Sequence, residues 1–415
     1  MTVAGSMARR TAGAPLSGAG VLVLASVAME QTAPATALSP VGRAGRIITI
    51  DALRGAALLG ILLVNVQNIM GPQRIKATWH GTDRVLHFLI TWLVEGKFIS
   101  MFALLFGLGV ALQIARTRER GRSPTGLLAR RFAVLAVFGA VHGVAVWSGD
   151  ILLSYAATGF VLLLFRSSDV RSLRRWSVGL WLATSTVLLA AAAVVLALGG
   201  LSEADPGAAM AAYASGDYGA MVGQRLRELG GLITLGVFAL PWTLALMLAG
   251  MVAVRSGIAT DVAGHRRQLR RLAVVGCTLG LPLALAGAVV AVAGGSTTTE
   301  REAYSLAIVH AGGPVLALGY LSAGALILSR RAGSAITVRL AAVGRMALTN
   351  YLLQSVLATA WYYTGGRYGT GSLTAGVGLW MMISALQLLW SPWWLARFAQ
   401  GPMEALWRRL TYRAT

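Results

Sequence analysis

Ten apolar runs of about membrane-spanning length recur along this chain, and they limit its fold more than any other feature. A helix needs about 20 apolar residues to cross a bilayer. Hydrophobic residues make up 56% of the sequence and charged residues only 12%, which is more apolar surface than a soluble domain can bury. The sequence therefore predicts an all-α polytopic membrane helix bundle of about ten transmembrane helices, over residues 51–70, 98–115, 130–147, 150–165, 176–200, 230–254, 270–294, 304–328, 341–363 and 372–396.

Basic residues alternate between the segments that connect these runs. Six alternate segments, the two terminal ones included, together carry a charge of +22, whereas the five between them sum to −1. Because basic connections of membrane proteins stay in the cytoplasm, both chain ends are predicted to be cytoplasmic. The net charge of +21 comes from short clusters and not from one basic face. This pattern argues against a nucleic-acid partner and makes the lipid bilayer the expected partner.

Residues 1–45 differ from the rest of the chain in composition. They are rich in Ala, Gly, Ser, Thr and Pro, and their weak apolar stretch, GAGVLVLASVAME, is too short to span a bilayer. We expect a disordered N-terminal leader here, with a cleaved signal peptide as the alternative because Ala35-Thr36-Ala37 follows. Residues 46–415 are expected to form a single transmembrane helical domain.

Several kinds of site are excluded by what the sequence lacks. The single cysteine, Cys277, excludes an intramolecular disulfide and a cysteine-based metal site. No HxxxH or HExxH spacing occurs, so no metal is expected. The GxxxxGK[ST] phosphate loop is also missing, so nothing supports an ATP-driven pump. No tightly bound cofactor is expected.

Ionisable residues at the cytoplasmic ends of the runs are candidate substrate contacts, because charge is expensive in a membrane. Asp51 and Arg54 open the first run and share a helix face, since they are three residues apart. They form a local ion pair, or else Arg54 binds a phosphate or carboxylate of a substrate. Near the C-terminus, Glu404 and Arg408 are interpreted mainly as a local pair.

On the predicted outer side, His142 and Asp150 form the most informative pair. A histidine with a carboxylate nearby is the usual arrangement of a general base, because the carboxylate fixes the tautomer and stabilises the imidazolium. We therefore expect His142 to be the catalytic base and Asp150 to orient it. His80, in the first outer connection, is a second candidate base and a candidate substrate contact.

Amide side chains complete the candidates on the outer side. Asn65 ends the first run and is a candidate catalytic residue. Asn350 and Gln354 lie four residues apart on one face of the ninth run and are candidate substrate contacts. Intramembrane Lys97 and His310 are further candidates for the same polar cavity. The longest outer connection is expected to hold a short interfacial helix.

Five stretches resemble the YeiB-like bacterial membrane proteins, a family defined by domain of unknown function 418. The order is the same, and the resemblance covers almost the whole chain from about residue 46. It implies a multi-pass protein of the bacterial plasma membrane. The stretches are RIITIDALRGAALLGILLVNV at 46–66, FISMFALLFGLGVAL at 98–112, VHGVAVWSGDILLSYAATG at 141–159, GRMALTNYLLQSVL at 344–357 and GPMEALWRRLTY at 401–412.

The first run also resembles that of a wider group of transmembrane acyltransferases. The group includes the lysosomal heparan-glucosaminide acetyltransferase and bacterial sugar O-acyltransferases. In the heparan enzyme an Asn, and a His 11 residues beyond it, serve catalysis. Here the Asn is Asn65, but the second position is Lys76. The resemblance thus implies that the base is displaced to His80 or replaced by His142. The shared order is Arg46, Asp51, Arg54-Gly55 and Asn65.

An acyltransferase is the function that this resemblance implies. It takes an acyl group from a cytoplasmic acyl-CoA such as acetyl-CoA, a co-substrate, and delivers it to a hydroxyl or amine reached from the outer side. The acceptor would be a small molecule, a sugar or a lipid, and association into a homodimer is left open. The alternative is a transporter or exporter of a small amphipathic metabolite, in which His142, Asp150 and His310 relay protons.

Overall fold

The computed structural model describes residues 48–71, 79–198, 207–292, 298–364 and 366–412, so the predicted leader, Arg46 and Lys76 lie outside the described residues. Regular structure in this part is helical throughout, as predicted. The described residues all belong to one compact unit. The helices are α1 (Ile48–Ile69), α2 (Gly81–Leu93), α3 (Lys97–Glu119), α4 (Pro124–Ala145), α5 (Leu152–Leu162), α6 (Val170–Ala197), α7 (Gly207–Ala214), α8 (Tyr218–Arg255), α9 (Arg266–Val292), α10 (Thr298–Arg330), α11 (Ala335–Arg345), α12 (Ala347–Tyr363), α13 (Leu373–Arg397) and α14 (Pro402–Tyr412).

Helices of membrane-spanning character account for most of this chain. In the described part, seven helical stretches are long and apolar enough to cross a membrane: α1, α2 with α3, α4, α6, α9, most of α10, and α13. Two shorter apolar helices cover Leu152–Phe165 and Ala239–Arg255. Each of the ten predicted runs overlaps helical structure in the described part of the chain. The helical membrane fold is therefore confirmed, whereas the count of ten crossings and the cytoplasmic position of both ends stay predictions.

The ninth predicted run, 341–363, is two helices and not one. Helices α11 and α12 meet at Met346, whose φ of −108° is not helical. The start of a helix leaves backbone amides without internal partners. Here the Glu404 carboxylate of α14 accepts from the backbone nitrogen of Leu348 at 2.7 Å and of Thr349 at 3.1 Å. This cap from a distant part of the sequence stabilises the new helix start.

Glu404 thus has other partners than the local pair that its spacing suggested. Its Oε2 also accepts from Thr349 Oγ1 at 2.6 Å. Arg408 NH1 donates instead to Gln400 Oε1 at 3.3 Å. Burial raises the pKa of the Glu404 carboxyl above its usual value, against the opposing effect of the hydrogen bonds from Thr349 and Leu348. The contribution of Glu404 to the stability of the folded chain should therefore depend on pH.

Replacing Glu404 by Gln is expected to destabilise the chain by about 1 kcal/mol through the weakened cap, and by more at acidic than at neutral pH. A raised pKa means that the folded chain binds the carboxyl proton more tightly than the unfolded chain. The stabilising contribution is therefore largest at acidic pH and falls as the pH rises through the raised pKa. The difference in Tm between the wild type and Glu404→Gln, followed from about pH 4 to 8, should shrink as the pH rises. A difference independent of pH would contradict this assignment.

Helix α1 is the most deeply packed of the spanning helices. Of its apolar window 72% is buried, against 17% for α6. Its contact with α11 is backbone to backbone: a Cβ on Gly55 would overlap Leu340 O, and one on Gly344 would overlap Asp51 O. Small residues permit such close approach in membranes. Because α1 also carries Asn65, this contact helps to fix the position of that candidate catalytic side chain.

Charged residues at the junction of α2 and α3 form hydrogen bonds that stabilise a break between two apolar helices. Gly96 takes a φ of 77°, and the fully buried Lys97 donates from Nζ to Thr91 O at 2.6 Å. Thr91 Oγ1 donates to Glu95 Oε2 at 3.0 Å. Since Thr91 lies in the last turn of α2, Lys97 supplies a donor to a carbonyl that the helix leaves unpaired. Lys97 therefore stabilises the break between α2 and α3.

Candidate functional site

His142 and Asp150 form a buried pair where the chain passes from α4 to α5. His142 Nδ1 lies 2.8 Å from Asp150 Oδ1, and the side chains are only 2% and 1% exposed. The second oxygen of the carboxylate, Oδ2, accepts from the backbone nitrogen of Leu153 at 2.8 Å. The two residues lie together, as their types and spacing suggested. Their catalytic roles stay predictions.

Local packing explains how this pair is held. Helix α4 ends at Ala145, and the chain reverses over the next six residues to begin α5. Gly139, one turn before His142, makes room for the reversal, because a Cβ there would overlap Leu153 N and lie 2.7 Å from Asp150 Oδ2. Asp150 caps the start of α5 and pairs with His142 at the same time, so its carboxylate is fixed in orientation.

The second ring nitrogen of His142 is available for chemistry. Nε2 is buried and has no hydrogen-bond partner among the described residues. The ring of Tyr351 packs with its centroid 5.3 Å from that of the imidazole, while Tyr351 OH accepts from Ile151 N at 3.2 Å. A carboxylate at Nδ1 favours the neutral tautomer that keeps its proton there. Nε2 then presents a lone pair, as a general base requires.

A cavity of about 610 Å³ lies against the segment that holds Asp150. Its lining on α1 runs from Ile61 to Asn68, a rise of about 10 Å, and Gly71 follows just beyond the helix. The cavity therefore reaches well into the bundle from the predicted outer side, and its volume suits a small molecule. Neither His142 nor Asp150 is among the described lining residues. The segment around Asp150 contributes Trp147, Ser148, Gly149 and Ile151 to the wall.

Of the other candidates on the outer side, only Asn65 is among the described lining residues, and Asn68 joins it one turn further along α1. His80 precedes α2 and is exposed, and its side chain does not cap that helix. The structure therefore brings Asn65 to the cavity, and it leaves His80 on the surface. Neither position tests a catalytic role.

Asn350 and Gln354 are buried between α12 and α13. Asn350 Nδ2 donates to Ser391 Oγ at 3.0 Å, and Gln354 Nε2 donates to Gln387 Oε1 at 2.7 Å. Trp390 Nε1 completes the network by donating to Asn350 Oδ1 at 3.1 Å. The two amides do share a helix face, but in this structure that face joins two helices. Neither is among the described residues that line the cavity.

Asp51 and Arg54 form the local ion pair that was one of the two interpretations. Arg54 NH1 lies 2.8 Å from Asp51 Oδ1, and the arginine side chain is 24% exposed. The pair lies eleven residues before Asn65 on α1, a rise of about 16 Å. It is therefore remote from the cavity, near the predicted cytoplasmic end of the helix.

A carboxylate that sequence reasoning did not single out lines the cavity. Glu228 Oε2 accepts from Ser148 Oγ at 2.5 Å and from Tyr213 OH at 2.7 Å, and Oε1 accepts from Gln224 Nε2 at 3.0 Å. Ser148 and Tyr213 also line the cavity. Burial, reinforced by the hydrogen bond to Glu228, raises the pKa of Tyr213 above its usual value. The phenol therefore stays a protonated donor.

The sequence did not point to Glu228 because residues 201–229 were interpreted as a connection between two membrane-spanning runs. A short helix is confirmed in the longest outer connection as α7, but α8 already begins at Tyr218, before the predicted run at 230. Gln224 and Glu228 consequently lie on one helix face, four residues apart. That spacing was the available signal. Among the described residues, no group of three or more His, Cys, Asp or Glu is arranged to hold a metal ion.

Comparisons with known proteins agree with this architecture. Residues 253–414 match the family described as "Protein of unknown function (DUF418)". The chain is 30% identical over 407 residues to "Uncharacterized protein YxaH" of Bacillus subtilis (strain 168), covering 91% of this chain and 97% of that protein. It is 30% identical over 398 residues to "Uncharacterized protein YeiB" of Escherichia coli (strain K12), covering 89% and 97%. An uncharacterized 39.9 kDa protein of Bacillus acidopullulyticus is 28% identical over 385 residues, covering 90% and 96%.

Proposed function

The chain belongs to the DUF418 family of YeiB-like proteins, and we propose that this multi-pass helical membrane protein is an acyltransferase of the bacterial plasma membrane. The observation that carries the proposal is the buried His142–Asp150 pair with its free Nε2, in which Asp150 lies between two residues that line a cavity of small-molecule size. The resemblance of the first run to transmembrane acyltransferases supports it further.

In the proposed reaction, a hydroxyl or amine of the acceptor attacks the thioester carbon of an acyl-CoA. A bond to the acceptor oxygen or nitrogen forms, and the carbon–sulfur bond breaks. The acceptor proton passes through His142 Nε2 to the departing thiolate, so the products are the acylated acceptor and the free thiol. Asp150 orients the imidazole and stabilises it while it carries the proton.

Two further residues have roles in this proposal. The Asn65 amide, in the cavity, donates to the oxyanion that develops on the thioester carbonyl. Arg54 keeps N–H donors of its guanidinium beyond the one bonded to Asp51 and attracts the phosphates of the acyl-CoA at the opposite end of α1. Since His142 does not line the cavity, the proposal requires the segment from Trp147 to Ile151 to shift before an acceptor contacts Nε2.

Asn65→Ala is expected to lower the rate of acyl transfer by about 10²–10³-fold, the effect of removing one oxyanion donor. Asn68→Ala is the matched control, because it removes the same side chain from the same cavity one turn away, and we expect it to change the rate only severalfold. Single-turnover rates with purified protein in detergent provide the measurement. Equal rates for Asn65→Ala and the wild type would remove Asn65 from the reaction.

The proposal itself is tested by incubating the purified protein with acetyl-CoA and longer acyl-CoAs, each with a panel of acceptors. Release of CoA together with an acylated product detected by mass spectrometry would support it. Movement of a solute across sealed proteoliposomes with no covalent product would support the transporter instead. That alternative requires His310 to join the relay. Its contacts in the described part are Leu306 O, at 2.8 Å, and the Trp242 ring, at 4.9 Å.

A further inference from the structure

Glu228 is a carboxylate in a membrane cavity without an ion-pair partner. No basic group of the described residues lies within 4.0 Å of it, and its bonded neighbours are the neutral side chains of Ser148, Tyr213 and Gln224. A carboxylate offers about four acceptor positions, and these three donors occupy three. The remaining position and the full negative charge are available to a ligand. A partly buried carboxylate in an apolar cavity is costly unless something pairs with it.

The arginines on the same helix make their hydrogen bonds elsewhere, and the buried Nε of Arg225 has no hydrogen-bond partner among the described residues. Arg225 NH1 donates to Ala145 O at 2.9 Å, at the C-terminal end of α4, and the guanidinium lies over the rings of Tyr213 and Tyr363 at 5.8 and 5.7 Å. Arg227 donates through Nε and NH2 to Gln224 Oε1. Neither arginine is among the described lining residues. The charge that the cavity presents is therefore the negative charge of Glu228.

Several aromatic residues line the same cavity as this carboxylate. Trp147, Tyr213, Tyr363 and Tyr368 all line the cavity. The three tyrosine rings form a cluster with centroid distances of 4.7, 5.0 and 5.5 Å. Aromatic rings attract cations through their quadrupole, and most strongly in a desolvated site. A carboxylate within an aromatic cavity is thus complementary to a positive organic group and mismatched to an anion.

We propose that the cavity binds an organic ammonium ligand, whose N–H donates to the open position on Glu228 while the aromatic rings surround its positive charge. The inference concerns binding and contains no chemical step. It deepens the acyltransferase proposal and rests on it only in naming the class of acceptor, a molecule anchored by an amine. The binding site itself does not require the His142–Asp150 pair.

Matched probes in isothermal titration calorimetry test this. Tyramine is compared with tyrosol, and 4-aminobutan-1-ol with butane-1,4-diol, so that each pair differs only in an ammonium or a hydroxyl. Methyl glucoside represents neutral polyols. In wild-type protein, at least one amine should bind about tenfold more tightly than its hydroxyl partner or more. This preference in the wild type does not depend on any variant folding.

Glu228→Gln should reduce the preference to about twofold or less, because the amide keeps the shape and loses the charge. Glu119→Gln is the control: it makes the same chemical change at an exposed position on α3 away from the cavity, and it should leave the preference unchanged. Gel filtration and Tm establish that both variants are folded. Equal affinity within both pairs, tighter binding of methyl glucoside than of the amines, an unchanged preference in Glu228→Gln, or no saturable amine binding would each overturn the proposal.

The two proposals fail separately. An amine preference that depends on Glu228, without acyl transfer to any acceptor, would support the ammonium site and contradict the acyltransferase proposal. Acyl transfer that requires His142 but proceeds on hydroxyl acceptors, with no amine preference in binding, would support the acyltransferase and contradict the ammonium site.

Discussion

Replacing His142 by Gln is expected to lower the rate of acyl transfer by about 10²–10⁴-fold with little change in stability. The glutamine amide can still donate to Asp150, so the buried carboxylate keeps a partner, but it cannot accept a proton at neutral pH. His142→Ala removes that donor as well. Because the side chain of Asp150 is 1% exposed, this second variant should also lose about 3–5 kcal/mol of stability.

The control for this prediction is a histidine outside the site. His265→Gln changes a side chain in the connection between α8 and α9 and should transfer acyl groups at the wild-type rate. His80→Gln tests the second candidate base and should also retain activity, since His80 is exposed and outside the described cavity lining. Single-turnover rates and Tm are measured on all four variants. Wild-type rates for His142→Gln, with loss in His80→Gln, would transfer the role of base to His80.

Gly344→Ala is expected to destabilise the folded chain by about 3 kcal/mol or more, the upper part of the range for overpacking. The added methyl group would overlap the backbone oxygen of Asp51, and a backbone atom in a packed helix cannot move aside as a side chain can. Helices α1 and α11 must therefore separate. The fraction of monodisperse protein after extraction and the Tm are the measurements.

Gly179→Ala is the matched control for Gly344→Ala. It makes the same change inside a helix, α6, but nothing lies within 4 Å of the added Cβ. Alanine is the better helix former by about 1 kcal/mol, so this variant should be as stable as the wild type or slightly more stable. Equal Tm values for the two variants would show that the α1–α11 contact is not as close as described.

The sequence predicted what depends on local period and residue type. The first run was predicted at 51–70, and the helix covers Ile48–Ile69. The pairing of His142 with Asp150 was also within reach, because a histidine at a helix end and a carboxylate in the following turn come together when the chain reverses over a few residues. Both inferences need only neighbours along the chain.

What the sequence did not predict depends on partners far along the chain. Asn350 and Gln354 share the helix face that was expected, but a single sequence does not reveal that Ser391 and Gln387 cover it. Glu404 has an arginine four residues away and yet caps α12. The shared helix face was predicted correctly for the two amides, whereas Arg408 bonds to Gln400 and not to Glu404. In both cases tertiary packing decided the partner.

A contact between Asp83 and Thr374 joins parts of the chain that are synthesised far apart in time. Its Oδ1 accepts from Thr374 N at 2.8 Å and from Thr374 Oγ1 at 2.6 Å, across 291 residues of sequence. A ribosome that adds about 5–20 residues per second needs roughly 15–60 s to deliver the second half of this contact. Throughout that interval the Asp83 carboxylate lacks both of these donors. A nascent chain released before α13 emerges would leave Asp83 without them, so this contact of an early helix forms only after most of the protein has been made.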